Sequence, residues 1–342
     1  MNKPGLLGLT PIVPLLIFAA CADEPLLADV EAELDAPSPI AVPDGNALLA
    51  SYRAFGFQVY ECQPDAAGAL AWKLRAPVAM LVADDDALVA VHVGGIDVGL
   101  AAGPYWMSTL DGSRVHGGNA VAAPNPGAIP LLRLSALDHD GQGLFAGVTY
   151  IQRLATTGGL APTSKCRKTS PRAYVPYTAE YAFWGASIPR PAVPETITVD
   201  EGHEVAFVGH ATGAQIYECA ADATWKLRAP RAVLTDDADD TPFVDHFGGI
   251  DAELPAGPYW RSLRDGSRVH AGNAISSPNP GTIALLRLQV LDSAGNGILS
   301  RVSFLQRLAT SGGVAPAGPC AAGERREVPY TADYYFYVPA VR

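Results

Sequence analysis

The chain repeats itself. His92–Cys166 aligns without a gap on His246–Cys320, and 45 of the 75 aligned positions are identical. Similarity at one fixed offset over this length marks two copies of a domain rather than an array of short repeats. A chain of 342 residues has room for two domains of about 150, each large enough to bury a core of its own. Position by position, each copy is then a physical control on the other.

The copies have recognisable ends. Each opens with a Pro-rich approach and an apolar segment closing in QVYEC (58–62) or QIYEC (215–219), and each finishes with VPYTAEYAFW (175–184) or VPYTADYYFY (328–337). The expected organisation is residues 1–21 as an export signal, 22–38 as an acidic tether, 39–184 as the first domain, 185–190 as a joint and 191–342 as the second domain.

Between these ends the chain reads as strands and turns. Leu144, Ala146, Val148, Tyr150, Gln152 and Leu154 alternate on one face, and the second copy keeps that face apolar while Gly147 on the other becomes Arg301. Alternation of this kind predicts a strand with Gln152 inward and Arg153 toward solvent. Leu132, Leu134 and Ala136 predict a second inward row, with Ser135 outward. DHDGQG (138–143) joins the two strands as a hairpin. Asp111-Gly112 marks a further tight turn, which places Trp106 and Val115 on one face and Tyr105 and His116 on the other. Met107 becomes Arg261 in the second copy, so the histidine side is expected to be wet. No stretch carries a long capped helical period. The expectation is all-β: two tandem antiparallel domains of β-sandwich or jelly-roll-like form. Gly 34 and Pro 29, about 18% of the chain together, suit a turn-rich β protein.

Net charge −11 argues against nucleic acid or anionic lipid as the main partner, since both require basic patches. At the N-terminus, Lys3 precedes the apolar run Leu6–Ala20, which ends in Ala19-Ala20-Cys21. The run is too short for a comfortable transmembrane span. Ala-Ala-Cys after such a run resembles the lipobox of bacterial lipoproteins, although Phe18 stands where Leu is usual and Pro11 and Pro14 interrupt the run. The resemblance implies lipidation at Cys21 and, with Ala22 beside it, passage to the outer membrane. Plain secretion is the alternative. The membrane would be reached only through that lipid.

The four remaining cysteines lie equivalently in the two copies. An exported protein with one pair per domain most simply forms Cys62–Cys166 and Cys219–Cys320. Each closes a loop of about 100 residues, worth about 4–5 kcal/mol on the entropic model.

Candidate chemistry is sparse. His92 and His116 recur as His246 and His270, and Asp111 and Ser113 as Asp265 and Ser267. Two histidines and a carboxylate suggest a two-His-one-carboxylate metal site, and Ser with His suggests a nucleophile, so these eight residues are the candidates for catalysis. No H-E-x-x-H motif or G-x-S-x-G elbow accompanies them. The acidic runs Asp84–Asp86 and Asp236–Asp240 lack the EF-hand pattern. GGIDVGLAAG (94–103) has neither the spacing nor the following helix of a dinucleotide site. No metal or cofactor is expected.

One set of motifs carries a family resemblance. Tyr-x-Cys, Gly-Pro-x-Trp, Asp-Gly-Ser, QRLATTGGLAP (152–162) with its copy QRLATSGGVAP (306–316), and a closing Val-Pro-Tyr-Thr-Ala-x-Tyr resemble an uncharacterised domain family of exported bacterial and fungal proteins. The resemblance covers nearly all of the chain beyond the signal, twice, where the family usually has one copy. A Thr commonly precedes the family's Trp, where this chain has Tyr105. Fungal members are sometimes labelled malate dehydrogenase, which nothing in these residues supports. The resemblance implies kinship and no activity. The function expected is therefore an exported, envelope-anchored, non-catalytic binding or structural module for an unknown ligand, with carbohydrate a candidate. A hydrolase or metal-dependent enzyme on envelope carbohydrate or a small molecule is the alternative.

Overall fold

The computed structural model describes residues 39–169, 171–236 and 240–340. The expected signal, Cys21 and the expected acidic tether lie outside them. Every named strand is antiparallel to its neighbours. In the first copy β1 (Asn46–Pro64), β2 (Leu70–Val82), β3 (Leu88–Gly94), β4 (Pro104–Ser108), β5 (Arg114–Ala123), β6 (Leu131–Asp140), β7 (Val148–Gly158) and β8 (Arg172–Ala186) follow one another around a closed barrel, and β8 pairs back onto β1. The second copy repeats the circuit with β9 (His203–Cys219), β10 (Trp225–Thr235), β11 (Val244–Gly248), β12 (Pro258–Ser262), β13 (Arg268–Ser277), β14 (Leu285–Ala294), β15 (Phe304–Gly312) and β16 (Arg325–Pro339), closing β16 onto β9. The two tandem antiparallel all-β domains are as expected. Their sheets close on themselves in sequence order, without the crossing connections of a jelly roll.

An eight-stranded barrel is just wide enough for side chains to fill. Trp106, Leu81, Val115, Leu134, Ile151, Tyr177, Tyr181 and Phe183 fill the first, and Trp260, Leu234, Val269, Leu288, Leu305, Tyr330, Tyr334 and Phe336 fill the second. A smaller apolar layer lies outside each wall. In the first barrel Ile40, fully buried, straps over Leu48, Ala123, Leu154 and Ala182.

That strap overturns one expectation. Leu132 pairs with Arg153 and Leu134 with Ile151, so Arg153 points into the barrel, while Gln152 pairs with Arg133 on the outer wall. Gln152 Nε2 donates to the Ile40 carbonyl at 2.7 Å, and the copy in Gln306 donates to Ile197 at 2.6 Å. The outer face reads as core because the strap buries it. Two irregularities in the β7–β8 register, at Val148/Tyr150 and Leu154/Thr157, also break the alternation. The strand itself begins at Val148, since Leu144–Gly147 forms the preceding turn. Arg301 is not on a solvated strand face either. Its Nη1 donates to the Leu48 carbonyl of the other barrel at 3.0 Å.

Both disulfides form as expected. Cys62–Cys166 has Cα atoms 5.5 Å apart and Cys219–Cys320 5.8 Å apart. Each ties the end of a barrel's first strand to the loop that precedes its last strand.

Candidate functional site

The Asp-Gly turn forms in the expected register, with Tyr105 opposite His116 and Trp106 opposite Val115. His92 pairs with Trp106, so His92 lies inside the barrel and His116 outside, with the sheet between them. His92 stacks on Trp106 at 4.3 Å and meets the edge of Tyr181. Its Nδ1 lies 3.0 Å from the Tyr105 carbonyl, which makes that nitrogen the donor of a neutral ring. Burial, opposed by that hydrogen bond and aided by the charge of Arg153, depresses its pKa to about 3. His246 repeats the stack on Trp260, the bond to the Tyr259 carbonyl and the depression to about 3, again from burial first. A ring held neutral and enclosed by aromatics is core, not an acid or base.

His116 corrects the expectation of a wet face. Its ring stacks on Tyr105 at 4.3 Å and its Nδ1 lies 3.1 Å from Asp138 Oδ2. The loop 95–103 covers both rings. A Cβ on Gly103, whose φ is +139°, would fall 2.3 Å from His116 Nε2, so only glycine permits the cover to close. His270 stacks on Tyr259 at 4.4 Å, with Nε2 3.2 Å from the Ala256 carbonyl.

Asp111 and Ser113 form a latch. Asp111 accepts the amides of Ser113 at 2.8 Å and Leu144 at 2.9 Å, and Ser113 Oγ accepts that of Phe145 at 3.2 Å. The β4–β5 turn is thereby fastened to the β6–β7 loop. Asp265 and Ser267 do the same to Ile298 and Leu299. The hydroxyl of Ser267 donates to Asp265 at 2.5 Å and not to a histidine. The eight candidates thus divide in each barrel among the interior, the outer wall and a turn, and neither a Ser–His pair nor a two-histidine site assembles. Among the described residues no group of three or more His, Cys, Asp and Glu side chains gathers as a metal site would require.

The stretch QRLATTGGLAP has a structural account as well. Gln152 holds the strap, and Arg153 donates to the Pro130 carbonyl at 2.8 Å. Thr156 Oγ1 donates to Ile129 at 2.5 Å and accepts from Asn125 at 2.8 Å. The Gly159 carbonyl accepts from Tyr60 at 2.7 Å. These bonds pin the Pro-Asn-Pro-Gly loop, residues 124–130, against one end of the barrel.

Sequence reasoning overlooked the outer wall of β1–β4. Phe55, Met80, Val91 and Met107 face one another in a row across four strands, and Phe57, Val78 and Val93 form a second row. Tyr174 meets Phe57 edge-on and is 58% exposed, and Met80 is 53% exposed. In the second barrel the same positions are Thr212, Val233, Asp245 and Arg261, then Ala214, Arg231 and Phe247, with Glu327 in place of Tyr174. There Arg261 pairs with Asp245 and Arg231 with Glu327, both at 2.6 Å. The outward strand positions carried this signal, but only once the register was known.

A family model for proteins of unknown function, DUF3455, matches residues 43–185 and again 200–338, and the chain belongs to this family in two tandem copies. Neither the curated proteins nor the solved structures contain a match to it.

Proposed function

We propose that this chain is an exported, envelope-anchored, non-catalytic binding module, and that it docks its partner on the outer wall of the first barrel. The observation that carries the reading is the contrast between two walls of one fold. Where the second barrel neutralises its outward positions with ion pairs, the first leaves Phe55, Phe57, Val78, Met80 and Tyr174 in solvent. Contiguous exposed apolar surface of this kind marks interaction sites. Aromatic, Val and Met side chains rimmed by Arg53, which lies over the Phe55 ring, and by Arg114, opposite Met107, have the make-up of a protein interface core with a charged rim, so the partner proposed is an envelope protein with an apolar face of its own. The dispersal of His92, Asp111, Ser113 and His116 into structural duties supports a non-catalytic reading. Export and anchoring rest on Ala19-Ala20-Cys21, and two disulfides are compatible with an oxidising compartment.

A photo-crosslinking residue at Met80, with Val233 as control, tests the docking face in cells. The adduct is identified and its affinity measured with purified components. A variant carrying the second wall's residues, Phe55→Thr, Val78→Arg, Val91→Asp and Met107→Arg, should fold and should bind at least tenfold more weakly. Equal crosslinking at both walls, or undiminished affinity of the variant, defeats the reading. A crosslink to a second copy of the chain, or wall-dependent retention of a purified envelope saccharide, replaces the protein partner with that occupant. For the anchor, Cys21→Ala should release the chain from the membrane fraction or block its maturation. An unlipidated mature N-terminus downstream of Cys21 would leave a secreted protein.

A further inference from the structure

Inside each barrel a guanidinium faces a group of tyrosines, and among the described residues no carboxylate pairs with it. Arg153 is buried, at 8% exposure, and the Pro130 carbonyl receives its Nε and Nη2. Tyr60, Tyr177, Tyr181 and His92 all feel the charge of Arg153, and among the described residues no carboxylate acts on any of them. The Tyr177 and Tyr181 hydroxyls lie 3.4 Å apart, and the Tyr181 hydroxyl also accepts a hydrogen bond from Arg153. Near Tyr177 lies Gln58, 2% exposed and on the inward face of β1, whose Nε2 has no hydrogen-bond partner among the described residues. Further along the same interior, Trp106 Nε1 is likewise buried without a partner. Native interiors rarely leave such donors unmet, and a buried charge ordinarily has a counter-charge.

The second barrel repeats the arrangement, with its guanidinium half-buried rather than buried. Arg307 donates to the Ala284 carbonyl at 2.8 Å and acts on Tyr217, Tyr330, Tyr334 and His246. Gln215 Nε2 and Trp260 Nε1 are again the buried donors without partners. These atoms face the interior beneath the pinned loops, 124–130 and 278–284, and the sheet separates them from the outer wall proposed above.

We propose that each barrel binds one small carboxylate in its interior, held by the Arg153 guanidinium and the Gln58 amide in the first and by Arg307 and Gln215 in the second. The carboxylate supplies the anion that the guanidinium lacks and acceptors for the unmet N–H groups. An interior just wide enough for side chains restricts the ligand to a few heavy atoms, which makes formate and acetate the probes.

The test uses the disulfide-bonded full chain at pH 7 in sodium acetate or sodium formate, against sodium chloride of equal ionic strength. Calorimetry should give two sites per chain, and the thermal midpoint should rise saturably with carboxylate. The indole N–H resonances of Trp106 and Trp260 should shift over the same concentrations. In Gln58→Leu the stoichiometry should fall to one, and in Gln58→Leu/Gln215→Leu binding should weaken at least tenfold. No saturable response to either carboxylate overturns the proposal. An equal response to chloride means an adventitious ion only and overturns it too, as does a stoichiometry of two in Gln58→Leu. The single variant keeps the test decisive if the double variant does not fold.

Discussion

His92 and His246 tie the stability of the fold to pH. Each is neutral in its barrel with a pKa near 3, while in an unfolded chain each would titrate near its ordinary 6.5. The unfolded chain therefore binds more protons whenever the pH is below about 6.5. The stabilisation is complete above that pH and is lost progressively as pH falls from 6.5 toward 3. Each histidine contributes a slope of about 1.4 kcal/mol per pH unit, and the pair about 3. Denaturant unfolding should approach that slope between about pH 5.5 and 4, and His92→Phe should remove about half of it. An unchanged slope in the variant would mean that the ring is charged or solvated in the folded protein. The sequence offered the two histidines as possible ligands because they recur. It offered no way to see that one is inside the wall and the other beneath a loop, since the cover over His116 depends on Gly103 closing from a separate segment. Asp111 was legible as a turn residue, but its second bond, to Leu144, joins segments 33 residues apart.

At the scale of the strand, alternation was legible where one face met water and misleading where both faces were covered. On β6 the row Leu132, Leu134 and Ala136 faces inward as the pattern predicts. On β7 the strap makes Leu154 as buried outside as Ile151 is inside, so hydrophobicity no longer distinguishes the faces. The two register breaks then shift which residues share a face. This account makes Gln152 the tether of the strap. Gln152→Leu should lose the bond to the Ile40 carbonyl, cost about 1–2 kcal/mol, and raise amide hydrogen exchange in residues 39–45 while leaving the β2–β5 wall protected. Unaltered exchange at the strap would show that Ile40 is held by packing alone. The disulfides belong to the same scale. Each closes a loop of just over 100 residues, with separations of 104 and 101, so replacing either pair with Ser should cost about 3–5 kcal/mol in urea unfolding. A cost below about 1 kcal/mol would show that barrel closure alone already restrains the ends.

For the whole molecule, duplication was the feature most legible in the sequence, and the way the copies join was not. Closure of each barrel rests on β1 with β8 and β9 with β16, pairings between strands over 100 residues apart that no local pattern announces. The join between barrels depends on residues in which the copies differ. β1 pairs with β2 only from Arg53 onward, so Asn46–Tyr52 would present an unpaired edge on that side. There the Leu48 carbonyl accepts Arg301 and the Leu48 amide donates to Glu204. Asn296 adds bonds to Asp85 at 3.0 and 3.1 Å. The first copy has Gly147 and Ala47 where the second has Arg301 and Glu204, so only the second copy carries the charged clamp. A clamp that satisfies an exposed strand edge removes a template for aggregation as well as holding the barrels together. Arg301→Gly combined with Glu204→Ala restores the first copy's residues without touching either barrel's interior. Each barrel should keep its disulfide and its hydrogen-exchange protection. Small-angle scattering should show a larger maximum dimension, and the two barrels should tumble more independently in nuclear relaxation. The variant should also aggregate faster through the uncovered edge. If scattering and tumbling stay as in the parent chain, the barrels are held by the packing of β1 against β9 and not by this clamp.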